Sequence, residues 1–201
     1  GWGRLLAQTP NDACFVVDVA RFEDNARAFL ASFQARYPKT RLGYSYKTNP
    51  LPRLCTSAHA MGCYAEVVSG HEYRMARALG VPGTEILFNG PVKTSADLLL
   101  ALQDKARVHI DNLDELDTLC TLLDSHPQME IAVGLRCNLE LQVKGFPSRF
   151  GLSAETGDLH TAADRVRRHR QMRLAGLHSH FSYDRSAASF RERTELMIAL
   201  A

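Results

Sequence analysis

Two hydrophobic periods alternate along this chain. Short runs rich in β-branched and aromatic residues recur at Phe15 to Asp18, Leu42 to Tyr46, Tyr64 to Val68, Glu85 to Phe88, Arg107 to Ile110, Ile131 to Arg136 and Leu174 to Phe181. Each predicts a strand. Between and after them lie amphipathic stretches that predict helices near 20–36, 53–61, 70–79, 94–105, 112–125, 155–171 and 186–200. In the first, Phe22, Ala26, Phe29, Leu30 and Phe33 fall at i, i+4, i+7, i+8 and i+11, one apolar stripe. Two helix starts are explicit. Thr94-Ser95-Ala96-Asp97 and Asn112-Leu113-Asp114-Glu115 each set a capping side chain three residues ahead of an acid.

Strands alternating with helices predict βαβ units and a parallel sheet, either doubly wound or closed as a barrel. No Gly-x-Gly-x-x-Gly follows an early strand, which weakens a dinucleotide-binding sheet. Lys47, Ser69, Asn89, Asp111, Arg136 and His180 all sit at or just past predicted strand ends, where parallel barrels keep their sites. The expected fold is α/β, an incomplete (β/α)8 TIM-type barrel. After a lead-in strand at 15–18, about six of the eight barrel strands can be found, and a full barrel takes ~250 residues. The last helical pattern reaches Ala201 without a cap. The Gly-Trp-Gly-Arg start has neither an initiator Met nor the order of a signal peptide. Both ends therefore read as cuts within something longer. Residues 1–40 are expected to hold the lead-in strand and first helix, and 41–201 the partial barrel.

Composition narrows the function classes. Of 201 residues, 45% are hydrophobic and 23% charged, which argues against disorder, collagen and coiled coil. The net charge of +2 gives no general reason to bind nucleic acid or an anionic membrane. No apolar run approaches the ~20 residues that span a bilayer. The five cysteines, Cys14, Cys55, Cys63, Cys120 and Cys137, are widely spaced and form no Cys-x-x-Cys. They read as small core residues in a reducing cytoplasm rather than a disulfide framework or a zinc site. The expected partners include neither nucleic acid nor membrane.

Three segments carry candidate chemistry. In Tyr44-Ser45-Tyr46-Lys47-Thr48-Asn49-Pro50 an extended run ends in a lysine and Asn-Pro stops it. Such a lysine is either a surface charge or, stripped of part of its hydration at a barrel mouth, a neutral amine able to attack a carbonyl. In Glu66-Val67-Val68-Ser69-Gly70-His71-Glu72, a strand face carrying Glu66 runs into a Ser-Gly turn. Ser69 is either a helix cap or a donor to an anion. In Gly176-Leu177-His178-Ser179-His180-Phe181, two histidines share a strand face. They read as metal ligands, as a flat ring against a planar cofactor, or as satisfied core histidines. Asn89-Gly90-Pro91-Val92-Lys93, Arg136 and Ser148-Arg149-Phe150-Gly151 are bland taken singly.

In order, these segments read Lys-Thr-Asn-Pro, Val-Val-Ser-Gly-x-Glu, Asn-Gly-Pro-x-Lys, His-Ile-Asp-Asn-x-x-Glu-Leu, Gly-Leu-Arg-x-Asn, Ser-Arg-Phe-Gly-Leu and Gly-Leu-His-x-His. The series resembles the barrel domain of pyridoxal 5'-phosphate (PLP) enzymes of the alanine racemase-like fold, type III. Within them it is most similar to the diaminopimelate, ornithine and arginine decarboxylase group. The resemblance runs from about Thr9 to about Phe181.

The resemblance implies PLP as cofactor, an amino acid as substrate, decarboxylation as the reaction and a homodimer in the full-length protein. It implies that Lys47 forms the internal aldimine and that His180 stacks on the pyridine face. By the same resemblance Glu66 lies near the ring substituents, and Arg136 and Ser69 lie near the cofactor. It leaves the amino acid open among diaminopimelate, ornithine, arginine, lysine and a secondary-metabolite amino acid. It also implies that a glycine-rich phosphate loop, the Glu at the ring nitrogen and a C-terminal β domain would follow Ala201. Two departures stand out. Phe181-Ser182-Tyr183 replaces the usual Gly-Ser after the stacking histidine, so phosphate binding falls to Ser182 or is lost. His71 replaces a usual Gly. The Tyr-Gly-His-Gly run of alanine racemases is missing, which sets decarboxylation ahead of racemisation. A catalytically silent relative and a metal-dependent barrel hydrolase using His178 and His180 are the other classes.

Overall fold

The computed structural model describes residues 3, 15–139, 148–180 and 186–201. The chain divides into two compact units, Gly1–Thr40 and Arg41–Ala201. In the first, helix α1 (Val19–Gln34) is capped by Asp18, whose carboxylate accepts from Arg21 N at 2.9 Å. The run Phe15 to Asp18 is not the strand its composition suggests. Phe15, Val16 and Val17 are exposed and pair with no strand, and Asp18 is used as the cap. A β-prone run becomes a strand only where another strand pairs with it, and this run has no strand assignment.

The second unit repeats strand and helix. Its elements run β1 (Gly43–Ser45), α2 (Pro52–Ala60), β2 (Tyr64–Val67), α3 (Gly70–Ala78), β3 (Ile86–Phe88) and α4 (Ser95–Gln103). There follow β4 (Arg107–Ile110), α5 (Leu113–Ser125), β5 (Ile131–Asn138), β6 (Leu152–Ser153), α6 (Asp158–Arg168), β7 (Met172–His178) and α7 (Ala187–Leu200). Every strand pairing is parallel, in the order β1-β2-β3-β4-β5-β7, with the two-residue β6 also on β5. This is an incomplete TIM-type barrel sheet with six principal strands. β6 is too short to show a period and had no sequence signal.

The helices begin where side chains can hold their first N–H groups. Ser69, Thr94 and Asn112 accept from Glu72 N, Asp97 N and Glu115 N, as the Ser/Thr/Asn-x-x-acid spacing predicts. One face of the sheet is the core. Ala65, Val67, Ile86, Phe88, Val108, Ile110, Val133 and Leu135 are buried there, with Tyr73, Leu98, Leu116, Leu119 and Val166 from the helices in the same core. Each large side chain so buried contributes about 1.5–3 kcal/mol.

The alternate positions form the other, inner face. Ser45 is level with Glu66, Glu66 with Leu87, and His109 with Gly134. Between β5 and β7 the register slips at Val133/Gly134. Leu174 lies opposite Val133, but Gly176 lies opposite Gly134, so Ala175 is the extra residue. That slip sets His178, not Leu177, opposite Arg136. Re-aiming a side chain in this way is a common use of a bulge.

Candidate functional site

The turn after β1 is tied on several sides. Tyr46 N donates to Glu66 O at 3.0 Å and Thr48 N to Ser45 O at 3.2 Å. Tyr44 Oη donates to Asn49 O at 3.0 Å, and Asn49 Oδ1 accepts Leu51 N at 3.2 Å, just before Pro52 opens α2. Lys47 rides on this turn. Its side chain is exposed, as in the surface-charge alternative of the two that the sequence left open. The physical reason is its strand: β1 is an edge with β2 as its one neighbour among the described residues.

Glu66, on β2, accepts from Asn89 Nδ2 at 2.7 Å. Asn89 is 6% exposed, and its Oδ1 meets His109 Nδ1. The His109 ring in turn stacks on His178, with centroids 5.0 Å apart and planes 14° apart. Burial first, then the His178 ring and the Arg107 and Lys93 cations, pulls His109 from 6.5 down to about 3. Burial, then Arg136, pulls His178 down to about 4. Both rings are neutral at pH 7. His178 Nδ1 is buried with no hydrogen-bond partner, so it is not a satisfied core histidine.

Arg136 is buried and ion-paired to Asp111. Asp111 also accepts from Gly151 N at 3.1 Å, and the Arg136 guanidinium lies 5.2 Å from the Phe150 ring centroid. The Ser148-Arg149-Phe150-Gly151 segment is therefore a clasp on Arg136. Gly151 adopts φ +94, and a Cβ there would press on Arg136 O and Asn138 N at 3.0 Å, so glycine is required.

His180 follows β7 and is exposed. Partial burial, then the positive charges of Lys47 and Arg136, lowers its pKa, against a smaller opposing effect of Glu66. Lys47, Glu66 and Arg136 thus all act on one imidazole, and the four residues share one mouth of the sheet. Ser69 is spent differently. Its Oγ accepts Glu72 N at 3.2 Å, while Glu72 Oε2 accepts Val68 N at 2.8 Å, so it caps α3. Ser182 lies outside the described residues.

The sequence did not reveal that Asn89 joins Glu66 to His109, or that Asp111 holds Arg136. The signal was strand parity. Glu66, Asn89, His109, Asp111 and Arg136 are all inner-face positions once the register is known. Among the described residues no group of three His, Cys, Asp or Glu could hold a metal ion. Cys55, Cys63 and Cys137 are free thiols in the core, and Cys120 is a half-buried one.

Gly134 makes room for His109. A Cβ at 134 would overlap His109 Cδ2 and stand 2.6 Å from Nε2. Gly134→Ala is expected to cost about 1–3 kcal/mol in urea unfolding, the usual range for overpacking. An unchanged midpoint would show that the ring yields.

The neutral histidines also set a pH dependence. Their folded pKa values lie below the ordinary 6.5, so the unfolded chain binds protons first as pH falls. The stability they contribute is complete above 6.5 and is lost as pH falls towards 4 and 3. Going from pH 7 to 5 should cost about 2 kcal/mol per ring. Thermal melts across that range check it, and a flat profile would mean the rings already carry protons when folded.

Comparison with known proteins agrees with this architecture. The family model "Pyridoxal-dependent decarboxylase, pyridoxal binding domain" matches residues 22–198. The diaminopimelate decarboxylase of Actinosynnema pretiosum subsp. auranticum is 28% identical over 201 residues, covering 97% of this chain and 45% of its own length. The crystal structure of diaminopimelate decarboxylase from M. jannaschii superposes with a TM-score of 0.79 at 23% identity, over 90% of this chain and 44% of that one. Lysine/ornithine decarboxylase from Vibrio vulnificus, complexed with putrescine, gives 0.69 at 22% identity, over 90% and 45%. These two share the fold. The chain spans less than half the length of the curated relatives it matches. With the family model covering most of its length, the chain belongs to the pyridoxal-dependent decarboxylase family, over the pyridoxal binding domain.

Proposed function

We propose that this chain is the PLP-holding part of an amino-acid decarboxylase for a diaminopimelate-, ornithine- or arginine-like substrate. The observation that carries this reading is the match of residues 22–198 to the pyridoxal binding domain model, with Lys47, Glu66, Arg136 and His180 at or near the C-terminal ends of the parallel strands β1, β2, β5 and β7. The donor set fits the group. It offers an exposed amine, an imidazole whose pKa is lowered, a carboxylate with one anchored oxygen, and a guanidinium fixed by its own counter-ion.

Lys47 would hold PLP covalently through Nζ, with no ion pair among the described residues to compete for that atom. His180 would lie against the ring face, where its lowered pKa disfavours a cation. Glu66 would meet the ring substituents. Arg136 supplies a positive charge whose direction is set by Asp111 and Phe150. Ser69 keeps its hydroxyl proton while its lone pair caps α3, so it can still donate to an anion, and Ser182 would add a second hydroxyl. Bound there, PLP supplies an electron sink for the pair released when the bond to the substrate carboxylate breaks. Following the family resemblance, the intact protein would act as a homodimer, and the cysteine usage fits a reducing cytoplasm.

The test is covalent trapping. The intact protein is mixed with PLP, reduced with borohydride, digested and mapped by mass spectrometry. A single adduct on Lys47, with CO2 released from one of the named amino acids, is expected. No adduct, or one on another lysine, overturns the reading.

A further inference from the structure

Asn89 stands out as a buried polar residue that belongs to neither the core nor the mouth. Its backbone N donates to Val67 O at 2.8 Å, which ties it to the strand that carries Glu66. The next residue, Gly90, has φ +98, and a Cβ there would collide with Val68 O. Asn89 therefore has little room to shift. Its amide contacts two groups, Glu66 Oε1 at 2.7 Å and His109 Nδ1.

The chemistry of the partners fixes which amide atom faces which. An ionised carboxylate only accepts, so Nδ2 faces Glu66 and Oδ1 faces His109. An amide oxygen only accepts, so His109 Nδ1 must carry the proton. The ring is neutral at pH 7, so it has a single N–H, and Nε2 is left as an acceptor above Gly134. At the other end of the chain, Glu66 has Oε1 anchored. Among the described residues Oε2 accepts no hydrogen bond.

We propose that Asn89 is a positioning residue for the site: it holds the Glu66 carboxylate by one oxygen, turns the other to the bound ligand, and fixes His109 as the Nδ1–H tautomer. Its effect on the ligand rests on the functional reading above. Aspartate could not do the same work. It would still accept from His109 but would set a second carboxylate against Glu66. Leucine would serve neither partner.

The experiment has two parts. Nitrogen-15 NMR of the imidazoles needs no variant and no cofactor. His109 is expected as Nδ1–H in the wild type and in Asn89→Asp, and as Nε2–H in Asn89→Leu. A wild-type Nε2–H tautomer overturns the proposal. The second part measures PLP affinity and the visible circular dichroism of the bound cofactor in the intact protein. Asn89→Leu and Asn89→Asp should each weaken PLP about tenfold, the scale of one hydrogen bond to a charged group. Both should alter the dichroic band, which reports how the ring is held. In a Glu66→Ala background, Asn89→Leu should change neither. Full additivity, or wild-type binding and dichroism in both variants, overturns the proposal. If the wild type takes no adduct at Lys47, the functional reading fails. The positioning role then fails with it, while the NMR result still reports the tautomer separately.

Discussion

Lys47→Ala is expected to abolish the borohydride-fixed PLP adduct and to lower kcat/KM by several orders of magnitude, because it removes the nucleophilic amine that would hold the cofactor. The fold should not notice. Lys47 is exposed, and the turn beneath it is held by backbone groups and by Tyr44 and Asn49. A surface substitution of this kind shifts stability by about 0.5 kcal/mol or less. Lys47→Arg separates charge from chemistry. It keeps the cation that acts on His180 but loses an amine that can be deprotonated. It should be as inactive as Lys47→Ala while leaving the His180 titration near its wild-type value. Retained activity in either variant, with the protein folded, would mean that another amine does the work.

Much of the fold was legible because its signals are local. The seven predicted helices all appear among the described residues near their expected places, since each needs only a 3.6-residue stripe and local start signals. Thr94 and Asn112 cap as their spacing predicts. The Phe15 to Asp18 run misled for the converse reason. Strand formation depends on a neighbour that the run itself does not specify. The bulge at Val133/Gly134 was illegible too. Nothing in Ile131 to Arg136 or Leu174 to Phe181 says that one residue is skipped, yet that skip sets His178 opposite Arg136.

The site was legible in its ends and not in its joints. Lys47, Glu66, Arg136 and His180 were singled out by the ordered motifs that resemble the decarboxylase group and by their place at strand ends, where barrels bind ligands, although Arg136 taken singly was bland. Asn89 and Asp111 were visible at strand ends as well. Their partners were not, because Asn89 bridges to Glu66 across 23 positions and Asp111 reaches Arg136 across 25. Such pairings follow from register, which the sequence leaves open. His178 is the sharpest case. Its spacing from His180 suggested a matched pair, but its ring stacks on His109, a residue that no motif had linked to it.

The largest expected loss of stability lies just behind this site, at Lys93 and Glu115. Their side chains are 0% and 5% exposed and meet at 2.7 Å. Lys93 also donates to Gly90 O at 2.8 Å, and Glu115 also accepts Asp111 N at 2.8 Å. Burial pulls the Lys93 pKa down and pushes that of Glu115 up, while each partner opposes the other's shift. Removing one partner leaves the other buried and unmatched. Lys93→Met should therefore cost about 3–5 kcal/mol, a large part of the ~5–15 kcal/mol that holds a domain together. Lys93→Met with Glu115→Gln should recover most of this, because glutamine keeps an acceptor for Asp111 N without burying a charge. The pH dependence has a definite sign. In Lys93→Met the lone Glu115 has a folded pKa above its ordinary 4.5, so it escapes by taking a proton at low pH. The deficit should grow as pH rises above 4.5, opposite in direction to the histidine effect. Urea unfolding from pH 5 to 8 reads both. A single-variant cost under about 1 kcal/mol, or a double variant no better than Lys93→Met, would mean that water reaches the pair. Because Asp111 donates its backbone N–H to Glu115 and pairs its carboxylate with Arg136, loosening this pair should also slacken Arg136. Stability and PLP affinity should therefore fall together in Lys93→Met and recover together in the double variant.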